Sequence, residues 1–181
     1  MEVSFTEHHI HFSSYDFPGS SVHPTGILAC EQIRDADRGA APPEIRTTLG
    51  ETLFIPREQQ GDLEQFCRRN GIANRHRPDI WADLLEPFLD TWFDPDDERA
   101  TDNRLRKAGL SEAEVAGIRR RLAPLMHAYN FDGMRWEWVS LGLFDLLNAA
   151  TGPLVEPGVR AALGDPETLY TWAMDIAERH R

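Results

Sequence analysis

A chain of 181 residues with 41% hydrophobic and 27% charged side chains is long enough to bury a core of its own without disulfide or metal staples. A formal net charge of −11 and an isoelectric point near 5.0 argue against binding phosphate backbones, so nucleic acid is not an expected partner. Two cysteines, Cys30 and Cys67, are too few for a disulfide framework, and the longest apolar run, Val139 to Leu147, is interrupted by Ser140, Gly142 and Asp145, far short of a bilayer span.

The chain opens on Val3, Phe5, Ile10 and Phe12, a period-two pattern whose parity slips between Phe5 and Ile10. The slip predicts a bulge or two short strands. This polar, histidine-rich start does not resemble a secretory leader, and the reading is a cytoplasmic protein with no membrane association. Ser13 to Thr25, with Pro18, Gly19 and Pro24, reads as a loop; Ile27 to Cys30 reads as a short strand; Arg34 to Pro43 reads as a second loop. Residues 45–55 predict a hairpin, with Gly50-Glu51 as a two-residue type II′ connection.

Pro56 then introduces a helix over 57–70, striped by Leu63, Phe66 and Cys67 and closed by Gly71. From Pro78 onward the pattern is helical. A second helix is expected from Pro78 to Phe93, kinked or broken at Pro87, and a third from Asp96 to Ala108, stopping at Gly109. Ser111 and Glu114 form a capping box for a fourth, with Pro124 inside it. Met134 to Asn148, apolar nearly all round, reads as a central fifth helix. Asp165-Pro166 starts the last one.

The expected fold is therefore α+β: a small N-terminal antiparallel sheet with one helix, followed by a predominantly α-helical C-terminal part. The organisation read from the sequence is an α+β unit over residues 1–72 and a helical unit over 78–181, packed as one continuous core, with Ala73 to Arg77 as the polar connection.

Charge is the strongest functional signal. Between Asp79 and Asp102 stand nine acidic side chains and one basic one, Arg99. Asp79, Asp83, Glu86 and Asp90 recur at the spacing of one helix face, and Asp94, Asp96 and Asp97 follow directly. Such a face favours a cationic surface, so these seven residues are the expected contact with a basic protein partner, as in an inhibitor or immunity-type protein. Asp94 to Glu98 also resembles the start of a calcium loop, but Arg99 replaces the turn glycine and Leu105 the bidentate glutamate; acids at a helix N-terminus are the better reading.

The alternative is a metal-dependent enzyme using His9, His11 and Glu7, which would share one face of a strand, with His23 from the following loop. A further alternative is a small-molecule-binding or sensing domain using a pocket between the sheet and the tryptophan-rich helices. No nucleophile elbow, phosphate loop or His-Glu-x-x-His motif occurs. No resident cofactor is expected.

Overall fold

The computed structural model describes residues 1–89, 94–132 and 140–179. The chain is α+β, with two small antiparallel sheets in its first third and seven α-helices among the described residues. It forms two compact units: Met1–Pro78 together with Tyr170–Glu178, and Asp79–Leu169 together with Arg179.

In the first unit, β1 (Glu2–Phe5), β2 (His9–Ser14) and β3 (Gly26–Ala29) make a sheet in that order. The parity slip resolves as two strands, which pair with Val3 opposite Phe12 and Phe5 opposite Ile10. Val3, Ile10, Phe12 and Leu28 are buried, while Ser4, His9 and Ile27 face out.

The expected loop after β2 contributes to the core. Tyr15 and Phe17 are each only 1% exposed, and the rings of Phe12, Tyr15, Phe17 and Phe54 follow one another edge-on at 5.3–5.9 Å. The Tyr15 hydroxyl accepts the Phe54 amide at 3.0 Å, and burial raises its pKa far above the phenol range.

The second sheet comprises β4 (Ile33–Asp37), β5 (Glu44–Thr47) and β6 (Thr52–Phe54). β4 lies where a loop was expected. Its Asp35 and Asp37 disguise a buried strand, because both carboxylates are compensated: Asp35 by Arg46 and Arg77, Asp37 by His76 at 2.8 Å. The hairpin is present, but its turn differs. Four residues, Thr48–Glu51, join the strands, and Gly50 (φ 89°) is the left-handed residue after the turn instead of the first residue of a type II′ pair.

A 3-10 turn, Arg57–Gln59, leads into α1 (Gln60–Asn70), which buries Leu63, Phe66 and Cys67. It ends on Gly71 (φ 66°), with the Ile72 amide donating to the Cys67 carbonyl at 2.9 Å. The connection beyond is docked on the sheet: Ala36 donates to the Ala73 carbonyl at 3.0 Å and accepts from the Arg75 amide at 2.8 Å, a parallel bridge along β4.

In the second unit, α2 (Ile80–Leu85) is followed by a 3-10 turn, Glu86–Phe88. The expected helix from Pro78 to Phe93 thus ends at Leu85, the break that Pro87 foretold. α3 (Pro95–Lys107) and α4 (Glu112–Asp132) follow, the latter started by Ser111, whose hydroxyl accepts the Glu114 amide at 3.3 Å.

α5 spans Leu143–Thr151, not Met134 to Asn148. Ser140, Leu141 and Gly142 are not helical, and Asp145 accepts the Gly142 amide at 2.9 Å to mark the start. Of the tryptophans in the expected second and fifth helices, Trp81 is buried in α2, and Trp92, Trp136 and Trp138 lie outside the described residues.

A short α6 (Pro157–Ala161) precedes α7 (Pro166–Ala177), capped as expected by Asp165, which accepts the Thr168 amide at 2.9 Å. From Tyr170 onward α7 belongs to the first unit, where Arg34 holds Glu178 through two bonds of 2.7 Å and Tyr170 donates to Glu51 at 2.7 Å. No helix among the described residues is long and apolar enough to cross a membrane.

Candidate functional site

The acids singled out by the sequence divide into two groups with different work. Asp79 is the N-cap of α2 and does not lie on its face: one carboxylate oxygen accepts the Trp81 amide at 2.9 Å, the other the Leu143 amide at 3.0 Å. A single side chain thereby caps α2 and meets the first residue of α5. Burial raises the Asp79 pKa above the usual carboxylate range, against the pull of those two amides.

Asp83 is 9% exposed, and it grips the Arg104 guanidinium of α3 through bonds of 2.7–3.0 Å. Glu86 accepts from the buried Thr101 hydroxyl at 2.9 Å. Asp94, half-buried, caps α3 by accepting the Asp96 and Asp97 amides at 2.7 and 3.0 Å. The expectation that Asp79, Asp83, Glu86 and Asp90 line one solvated helix face is therefore corrected. The helix stops at Leu85, so Glu86 is no longer on it, Asp79 precedes it, and Asp83 is drawn inward by Arg104. Asp90 lies outside the described residues.

The exposed group is on α3. Asp96, Asp97, Glu98 and Asp102 all face solvent, with Arg99 paired to Asp96. The first three sit in the opening turn, where the positive end of the helix dipole favours them. Glu98 and Asp102 are one turn apart and extend the negative stripe along the helix. Neither was singled out by the face spacing read from Asp79, although the i, i+4 relation of this pair is plain in the sequence. Asp94 as the cap and Pro95 as the first helical residue agree with the helix-terminus reading of this segment and not with a calcium loop.

The Asp79 carboxyl has a measurable signature. In a carbon-13 NMR titration its side-chain resonance is expected to turn over above the usual carboxylate range. The folded chain then holds this proton more tightly than the unfolded chain. Its contribution to stability is therefore largest below the unfolded carboxyl's ordinary pKa, and fades as pH rises through the raised one. Asp79→Asn should remove that slope from the denaturation free energy; an unchanged slope would assign it elsewhere.

The histidines do not converge. His9 and His11 share the outer face of β2 with ring centres 6.4 Å apart. His23 instead turns its Nδ1 to the Tyr15 carbonyl at 2.7 Å, and Glu7 is near His8, not the other two. Among the described residues, no group of three or more His, Cys, Asp or Glu side chains is arranged to hold a metal ion.

The chain was compared with protein-family models, curated proteins and solved structures, and nothing matches in any of the three.

Proposed function

We propose that this chain is a cytoplasmic interaction protein that docks a basic protein partner on the exposed acidic face of α3, as an inhibitor or immunity-type protein would. The observation that carries this reading is the division of labour among the acids. Asp79, Asp83, Glu86 and Asp94 are consumed in holding α2, α3 and α5, whereas Asp96, Asp97, Glu98 and Asp102 are presented to solvent on one helix. Arg104, anchored by Asp83, and Thr101, anchored by Glu86, hold that helix in place, so the charges ride on a rigid element. Fixed, like-signed charges raise the association rate with a cationic surface by 10-fold or more at low salt, an order-of-magnitude effect. The free thiols of Cys30 and Cys67 support a reducing compartment.

The test is a quadruple neutralised variant, Asp96→Asn, Asp97→Asn, Glu98→Gln and Asp102→Asn, compared with the unaltered chain as bait in lysate of the native host. A basic protein retained at low salt by the unaltered chain, released by rising salt, and not retained by the folded variant is the expected result. If the variant folds and retains the same protein with the same salt profile, the acidic face is only a solubilising surface.

A further inference from the structure

We infer that the groove between β1 and α1 binds an extended peptide of a partner protein as an added strand, with an acidic residue of the peptide at its Arg69 end and a basic residue at its Asp62 end. The groove, about 320 Å³, has Val3, Ser4 and Phe5 on one wall and Asp62, Phe66 and Arg69 on the other. It belongs wholly to the first unit.

Three observations carry the inference. First, β1 is an edge strand, paired on one side only, with β2. The Thr6 amide donates to the His9 carbonyl at 2.9 Å, so Thr6 and, by alternation, Ser4 turn their backbone groups towards β2. Val3 and Phe5 therefore turn theirs to the open side, where backbone N–H and C=O groups not taken by β2 are a template for another strand.

Second, the Val3 carbonyl accepts the Gln59 side-chain amide at 2.6 Å. That amide stands where an incoming strand would donate, so a peptide would replace one hydrogen bond with the same kind of bond.

Third, Asp62 and Arg69 are exposed, and neither has an ion-pair or side-chain hydrogen-bond partner among the described residues. They lie seven residues, two turns, apart on α1, roughly 10 Å or three residues of strand. Gln59 meets β1 at Val3, and Phe66 meets it at Phe5, with ring centres 5.7 Å apart, so helix and strand run in the same sense. A peptide antiparallel to β1 then enters at the Arg69 end and leaves at the Asp62 end. Its acid must precede its base, and the groove reads direction as well as composition.

The test uses two peptides of equal composition and charge, acetyl-Glu-Val-Thr-Val-Lys-amide and its reverse, acetyl-Lys-Val-Thr-Val-Glu-amide, with the intact chain. The first is expected to slow solvent exchange at the Val3 and Phe5 amides and to bind roughly tenfold more tightly than the second at low salt, the effect of two exposed ion pairs. The double variant Asp62→Arg with Arg69→Asp, both positions exposed, should invert that preference while still slowing the same amides. Equal binding of the two peptides, or no protection at Val3 and Phe5, overturns the inference. Protection that grows with protein concentration in the absence of peptide also overturns it, because the occupant would then be a second copy of the chain.

Discussion

Replacing Asp35 by alanine is expected to remove about 3–5 kcal/mol of folding stability, the cost of leaving a buried charge without its partner. Asp35 is 1% exposed and Arg46, on the neighbouring strand, is 4% exposed. One Asp35 oxygen accepts from Arg46 at 2.5 Å; the other accepts from Arg77 at 3.1 Å and, more loosely, from Arg34 at 3.4 Å. Arg34 keeps Glu178 when Asp35 is gone, and Arg46 keeps the Arg75 carbonyl and a 3.4 Å contact with Glu44. Together they still leave a desolvated excess of positive charge against β4. Urea denaturation followed by circular dichroism measures the loss. Asp35→Asn, which preserves volume and one acceptor, should lose less than Asp35→Ala. A loss below about 1 kcal/mol for the alanine variant would place the arginines in water and refute the burial argument.

Trp81→Ala is expected to cost a comparable 3–5 kcal/mol, roughly, through the cavity left by the largest fully buried side chain among the described residues. Trp81 sits in α2 between its cap, Asp79, and the Arg104 anchor, Asp83, with Ile80, Leu84 and Leu85 buried beside it. Loosening α2 therefore loosens the grip of Asp83 on α3, and the acidic face loses part of its rigid support. Trp81→Phe keeps an aromatic ring in the site and should retain much of the stability, so the two variants separate lost volume from a generally intolerant position. Equal losses in both would point to a specific requirement for the indole. Little loss in either would show that α2 is peripheral to the second unit.

The elements legible in the sequence are those whose signals are complete within one or two turns of chain. Gly71 and Gly109 end helices because each supplies a positive φ at the point where the pattern stops. Asp165 before Pro166 starts one because a carboxylate can take an orphan amide three residues on. Pro87 breaks α2 because it has no amide to give. The shift of α5 has the opposite character. An apolar run announces burial but not helix, and here Gly142 and Asp145 set where the helix begins.

The acidic functional reading was only half legible for the same reason. The count and sign of the charges between Asp79 and Asp102 are properties of the sequence, as is the Glu98 and Asp102 stripe. Which acids stay in water is decided by residues far away in the chain. Arg104 reaches Asp83 across 21 positions and Leu143 reaches Asp79 across 64, and in the first unit Arg34 finds Glu178 across 144. Likewise, β4 looks like a loop until Arg46 and Arg77 compensate Asp35, because a carboxylate is costly to bury alone and acceptable when paired. The sequence by itself determined the class of fold, the helix ends and the sign of the surface. Tertiary structure decided which charges became internal struts and which remained in water, since that depends on the meeting of side chains that no local pattern brings together.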